Sequence, residues 1–331
     1  MEMKYPGGGI VNTEDKETLT ASDSNGEYKK ISDSDADAKT ETEAAKKEEQ
    51  IALLAEDGIE GTGTEEDPFI IDSPADWVTV MEYGEWNGKY NRYGSLLGCI
   101  ALDKDICLKG ESWDLAALNG FTFDGRGHKI EGINQPLFSA VKGTVKNLIL
   151  TDVDIKESNR QQHVGAIARQ TSDTANIQNC AVMGYIENIN YSVGGLVGNC
   201  QGTTNISDCI VQMEIVNTGT NQPESAAGGL VGKVSGNDYL NIERCMTLGT
   251  VNGAGRGCGG LVGGLGYEVT IKQCAALQET VVTKSYQEYV GRIFGYHSGT
   301  ITGSGNYAYE GMNGGYGEIF NSNAEANGSG V

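Results

Sequence analysis

Four aromatic residues stand at short spacing in the stretch EYGEWNGKYNRYG: Tyr83, Trp86, Tyr90 and Tyr93. Interleaved with Asn, Gly and Arg, they suit stacking on carbohydrate rings, and equally the packing of an apolar cap. They are the candidate ligand-binding residues of this chain. Asp152 and Asp154 share one face of the strand-like NLILTDVDI. Two carboxylates can divide the work of glycoside hydrolysis, and residues i and i+2 of a strand lie roughly 7 Å apart. Surface acids on a chain of formal charge −21 are nevertheless expected to be solubilising. Asp33, Asp35 and Asp37 begin like a calcium loop, but Ala38 replaces the required glycine and Ala44 the twelfth-place glutamate. His128, His163 and His297 are isolated, and no G-x-S-x-G elbow occurs. The eight cysteines include no C-x-x-C, which argues against zinc. The expectation is therefore no catalytic residues, no metal, no cofactor and no enzymatic activity.

The segments that must carry these side chains repeat. VGGLVGNCQGTTNISDCIVQMEI begins at Val193, and the same frame returns from Val164, Ala227, Cys258 and Val290. Aligned on Gly165, Gly195, Gly229, Gly260 and Gly291, the steps are 30, 34, 31 and 31 residues. A period of this size marks a solenoid, whose units bury their faces only against neighbours. Each unit holds a short apolar segment flanked by glycines, such as Leu196-Val197 or Leu230-Val231, where the backbone turns sharply or packs closely. A second segment carries an Ile three residues before a Cys: Ile177/Cys180, Ile206/Cys209, Ile242/Cys245 and Ile271/Cys274, with Ile301/Ser304 in the fifth unit. Cys209, Val211, Met213 and Ile215 then share one parity, which is a half-buried strand. The Ile breaks that parity, so a corner is expected between Ile and Cys. The result is an all-β fold: a right-handed parallel β-helix of six or seven coils with ladders of like residues. Cysteines in such a ladder act as small buried apolar groups and point the same way, so they stay free thiols. Cys200 and Cys258 lie near the glycine segments of neighbouring coils and could pair.

The G-G-L-V-G plus I-x-x-C pattern resembles the GLUG repeats of bacterial surface proteins, a motif also found in immunoglobulin A peptidases outside their catalytic domains. GTGTEEDPFII from Gly61, FTFDGRGHKIEGI from Phe121 and LFSAVKGTVKNL from Leu137 are similar to the opening segments of such domains. Glycine is missing at Phe138–Ala140 and at Ala168. The resemblance covers roughly Gly61 to Ala308. It implies the β-helix and an adhesin-like surface role, and it brings no catalytic residues with it.

Residues 1–60 differ in kind. Through Pro68 there are 19 acidic and 7 basic residues, a net −12. This arm is expected to be largely disordered, apart from a short helix over 41–56. Thr40 and Glu43 could box its start, and Ala44, Ile51 and Leu54 line a fragmentary apolar face. Ser73 as N-cap, Pro74 at N1, and the spacing of Trp77, Val80 and Met81 predict a cap helix near Pro74–Tyr83. Cys99–Leu108 reads as an early strand pair, with Trp113 buried beneath it. The expected divisions are an arm over 1–60, a cap and first coils over 61–135, the repeat β-helix over 136–308, and a polar tail over 309–331. Long excursions at 216–226 and 278–289 are where recognition would sit.

The acidic balance disfavours nucleic acid and anionic membrane surfaces. No window supports a membrane-crossing helix. MEMKYPGGGIVNTED lacks the apolar core of a secretory signal, and no sorting tail follows Tyr316. That suggests either a trimmed fragment or a particle protein released by lysis. Three roles fit, in descending order. The first is a non-enzymatic, surface-exposed recognition or adhesion protein that binds a cell-surface glycan or protein receptor. The second is a phage virion fibre, spike or decoration protein, docking to particle or cell-wall components through residues 1–60 and assembling as a homotrimer. The third is a polysaccharide lyase or hydrolase.

Overall fold

The computed structural model of the chain describes Glu48, 51–82, 95–96, 98–158, 162–189, 191–219, 225–284, 289–314 and 329–330. The chain divides into Met1–Glu49 and Gln50–Val331. Tyr83, Trp86, Tyr90, Tyr93 and the Asp33/Asp35/Asp37 run lie outside the described residues.

The second unit is a parallel β-solenoid of about seven turns. Its first coils contain β1 (Phe69–Ile71), helix α1 (Pro74–Glu82), β2 (Ile100–Leu102), β3 (Ile106–Cys107), β4 (Ala117–Asp124), β5 (Lys129–Glu131), β6 (Phe138–Lys146) and β7 (Ile149–Glu157). The next coil holds β8 (Val164–Gly165), β9 (Ala168–Gln178) and β10 (Ala181–Asn188). It is followed by β11 (Val193–Gly194), β12 (Val197–Cys200), β13 (Thr203–Ser207) and β14 (Ile210–Asn217). Then come β15 (Ala227–Gly228), β16 (Val231–Val234), β17 (Tyr239–Glu243) and β18 (Met246–Gly253). The coil after that has β19 (Cys258–Gly259), β20 (Val262–Leu265), β21 (Glu268–Lys272), β22 (Ala275–Ala276) and β23 (Thr280–Thr283). The last holds β24 (Val290–Gly291), β25 (Phe294–Tyr296), β26 (Thr300–Ser304) and β27 (Tyr307–Ala308), against which β28 (Ser329–Gly330) pairs. These strands stack into three sheets. One runs from β1 to β25 with β13, β17, β21 and β26 continuing it, a second from β3 to β28, and a narrow third through β8, β11, β15, β19 and β24.

Residue pattern dictates these ladders. Val211, Met213 and Ile215 of β14 are buried while Ile210, Gln212 and Glu214 are exposed, the alternation expected after Cys209. Cys180, Cys209, Cys245 and Cys274 are buried free thiols in one column. Each Sγ bonds the carbonyl two residues earlier, at 3.1–3.3 Å, which turns the sulfurs toward the backbone. Cys200 and Cys258 are also free and fully buried, and burial pushes both thiols up to about 12. The corner between Ile and Cys is a column of left-handed residues: Asn147, Asn179, Asp208, Arg244 and Gln273, with φ between 51° and 57°. Asn and Asp tolerate that conformation; a longer side chain costs more. Gln273→Asn is therefore expected to stabilise the fold by about 0.5 kcal/mol, read as a rise of about 1–2 °C in melting temperature.

Register corrects several sequence assignments. The stacked glycines are Gly165, Gly194, Gly228, Gly259 and Gly291, so the first and last units stand one place off the alignment on Gly195, Gly229 and Gly260. Two glycines are missing from the degenerate unit, at Ala166 and Arg169, and neither is at Ala168, because Gly194 pairs Gly165 and Val197 pairs Ala168. Arg169 fits because β8 is the first strand of the narrow sheet, so no earlier strand of that sheet crowds it. It instead pairs Glu157 at 2.6 Å. In the last coil Gly303, not Ile301, pairs Ile271. Asn306, not Ser304, takes the Cys place: its Oδ1 accepts the Cys274 N–H at 3.0 Å, and its Nδ2 donates to Ile271 O at 2.7 Å. A polar residue thus closes the thiol column. Strands β2 and β3 do not pair each other; they belong to different sheets.

The N-terminal end of the core is sealed by aromatic residues. Ser73 Oγ accepts the Asp76 N–H at 3.2 Å, and Asp76 returns a bond to the Asp72 N–H at 3.1 Å, so α1 starts as its sequence predicts. Its Trp77 is wholly buried, with ring centroids 5.7–6.1 Å from Trp113, Phe123 and Phe138. Residues 51–56 are helical, and Leu54 joins the same core.

Candidate functional site

One corner of the solenoid carries all the connections from the second sheet to the narrow third sheet. They are 158–163, 189–192, 218–226, 254–257 and 284–289. Of these, 159–161, 190, 220–224 and 285–288 lie outside the described residues. The excursion at 216–226 falls here from residue 218 on, but that at 278–289 is shorter than expected: Gln278 is buried and Thr280–Thr283 is strand β23, which leaves 284–289.

Buried side chains latch the base of this corner. Asn188 and Asn217 are register partners at the ends of β10 and β14, and Gly253 and Thr283 pair below them. Asn188 Nδ2 donates to Gln162 O at 2.8 Å and to Ser192 O at 3.3 Å. Asn217 Nδ2 donates to Tyr191 O at 2.6 Å and to Ala226 O at 3.4 Å, while its Oδ1 accepts the Gly219 N–H at 2.8 Å. Each amide thus ties the preceding loop to its own. Thr283 Oγ1 repeats the latch with Gly255 O at 3.0 Å. Buried amides need such partners; Ser192 O and Ala226 O serve them while also accepting the Val164 and Val193 N–H groups.

Aromatic and cationic groups finish the surface. The His163 ring meets Tyr191 edge-on at 5.0 Å, and its Nδ1 accepts the Ser192 N–H at 3.3 Å. Burial, and then the charge of Lys233, push His163 down to about 3. The Arg256 guanidinium lies 4.7 Å from the Tyr289 ring and 4.0 Å from the Tyr296 ring, and Nη2 donates to Tyr289 Oη at 3.3 Å. This clamp fixes the loop at 254–257 against the next coil.

The depressed His163 has a stability consequence. The unfolded chain takes the proton near 6.5, the folded one only near 3, so stability is full above about 6.5 and falls as pH drops. Between pH 7 and pH 5 the loss from this group is up to about 2 kcal/mol. Urea unfolding at pH 7, 6 and 5 should show a steeper decline for the native chain than for His163→Gln, which keeps an acceptor and does not titrate.

The other candidates from sequence do not converge. Asp152 and Asp154 are exposed, and each has its own lysine: Lys109 at 3.3 Å and Lys156 at 2.7 Å. Asp152 sits at a strand irregularity with φ 52°. His128 Nδ1 lies 3.3 Å from Asp105, in a turn held by Asp124 through the Arg126 N–H and Asn147 Nδ2, both at 2.9 Å. No group of three His, Cys, Asp or Glu among the described residues could hold a metal ion. The corner residues were missed because the asparagine bonds that tie one coil to the next join residues 26 apart; the local signals are Asn188 after I-E and Asn217 after I-V, at the strand ends.

Comparison with known proteins bears on this scaffold. Residues 116–184, from before β4 into β10, match a family model. That family is described as the N-terminal region of the M26 IgA1-specific metallo-endopeptidases. The immunoglobulin A1 protease of Streptococcus sanguinis is 28% identical over 166 residues, 50% of this chain. The aligned part is only 8% of that relative's length. A crystal structure of a candidate immunoglobulin A1 protease from Bacteroides ovatus superposes with a TM-score of 0.61 over 82% of this chain and 84% of that one. At 21% identity this likeness concerns the fold. The matching family is thus an endopeptidase's N-terminal region, not the GLUG repeat. The expectation that the chain has no enzymatic role is corrected on this ground, since the family and both relatives are named as proteases.

Proposed function

We propose that this chain is the substrate-recognising β-solenoid of an immunoglobulin A1 protease-like enzyme, working outside the cell, with the loop corner as its grip on the immunoglobulin. The observation that carries this reading is the set of five connections of unequal length at one corner of the stacked strands, four of them tied at the base by the buried side chains of Asn188, Asn217 and Thr283. A stiff ladder holding variable loops preorganises many weak contacts, which lowers the ordering cost of binding. The names of the matched family and relatives support a protease context. No helix among the described residues is long and apolar enough to cross a membrane. The surface recognition implied by the repeat resemblance becomes, in this reading, the recognition step of the protease.

The test is binding of the full chain to immobilised immunoglobulin A1. Saturable binding is expected, and replacing 220–224 by a Gly/Ser segment of equal length, which leaves the latched Gly219 and Ala226 in place, should weaken it at least about tenfold with the melting temperature kept. Absence of saturable binding, or an unaffected replacement, would overturn the reading.

A further inference from the structure

The outward face of β13, β17, β21 and β26 belongs to a different sheet from the loop corner and has a different chemistry. Tyr239 begins β17 and Tyr267 immediately precedes β21. Their rings meet edge-on at 5.9 Å and 84°, and they stay 43% and 51% exposed. Two rings that pack on each other and stay half in water make a small exposed aromatic patch. Their backbones are fixed by bonds between coils: the Tyr239 N–H donates to Gly202 O at 2.9 Å, and Tyr267 O accepts the Thr300 N–H at 2.9 Å.

Beside the rings runs an amide column. Asn205 Nδ2 donates to Asn176 Oδ1 at 3.0 Å, and Asn241 Nδ2 donates to Asn205 Oδ1 at 2.9 Å. Each amide is oriented by its neighbour, as in stacked asparagine ladders. Thr270 and Thr302 continue the column in register as hydroxyls. Along these strands the outward positions hold only three charged side chains, Glu243, Lys272 and Glu268, the last being the register partner of Tyr239. Glu243 is paired with Arg244 at 2.7 Å. On a chain of charge −21 this is a nearly neutral face.

We propose that this Tyr239–Tyr267 face, with its Asn205–Asn241 amide column, is a binding platform for a neutral glycan. The face offers ring surfaces for the C–H sides of sugars, and oriented amides and hydroxyls for their hydroxyl groups. Coils about 4.8 Å apart repeat those groups at regular steps. An anionic glycan would meet the field of an acidic protein. A protein partner would need an apolar centre to its patch, and the outward positions here carry no aliphatic side chain larger than threonine's.

The experiment applies the full chain, labelled at its N-terminus, to an array of neutral, sialylated and sulfated oligosaccharides beside a peptide library. Retention on neutral oligosaccharides is expected. In calorimetry with the best retained one, Tyr239→Ala combined with Tyr267→Ala should weaken binding about tenfold or more. The corresponding double Phe variant should stay within about threefold, and both should melt like the native chain because the rings are exposed. The proposal is overturned by retention of no neutral oligosaccharide, by retention of charged glycans or peptides only, or by a double Ala variant that binds like the native chain. None of these outcomes bears on the loop corner, so the two readings stand or fall separately.

Discussion

Gly228→Ala is expected to destabilise the solenoid by at least about 4 kcal/mol and to lower its melting temperature on the order of 10 °C. A Cβ at this position would sit inside contact distance of Val231 O, and 2.5 Å from Gly263 N in the next coil. Both are backbone atoms, and neither can retreat without breaking the ladder it belongs to. Gly194 and Gly259 stand in the same relation to Gly232 and Gly295. The short sheet of β8, β11, β15, β19 and β24 therefore lies against the glycines of β12, β16, β20 and β25 with no side chain between. Gly236 is the control. It has open space around its Cβ position, so Gly236→Ala should be neutral or stabilise slightly, by about 0.4–1 kcal/mol, through the unfolded chain. Thermal unfolding of the two variants side by side checks the claim. Similar losses in both would mean that the glycine column is not a packing requirement.

Trp77→Ala should cost about 3–5 kcal/mol. Trp77 is wholly buried where α1 closes the first coils, and it touches the aromatic rings of Trp113, Phe123 and Phe138. Its loss leaves a cavity at the end of the core and frees α1 from β1, exposing ladder edges of the kind that invite aggregation. Trp77→Phe should cost much less. The indole Nε1 is buried without an acceptor among the described residues, so removing it forfeits no hydrogen bond. Chemical unfolding with light scattering measures both effects. The Ala variant is expected to unfold at lower denaturant and to scatter more, while the Phe variant stays near the native chain.

How far these elements were legible depends on the distance over which their causes act. The alternation from Cys209 to Ile215 is a local, period-two signal, and the strand follows it residue for residue. The Ile-to-Cys corner was legible as a break of parity. Its cause, a left-handed residue just before each Cys, is hinted at by Asn147, Asn179 and Asp208 but disguised by Arg244 and Gln273. Register was the harder matter. A run such as VGGLVG has two adjacent glycines that align equally well by eye, and only the neighbouring coil decides which one stacks. The end of the thiol column could not be placed at Asn306 from spacing alone, because the last coil is two residues out of step with the Ile pattern. The corner latches were the least legible. Asn188 to Gln162 and Asn217 to Tyr191 each join residues 26 apart in the chain, and no local pattern announces such a pair.

Recognition at the latched loop corner is the part of the proposal on which the rest depends. Hydrogen exchange of the full chain, with and without immunoglobulin A1, tests it most directly. Slowed exchange on complex formation is expected to concentrate in 158–163, 189–192, 218–226, 254–257 and 284–289. The stacked strands of the second sheet should be unchanged. Slowed exchange that leaves these connections untouched would contradict it.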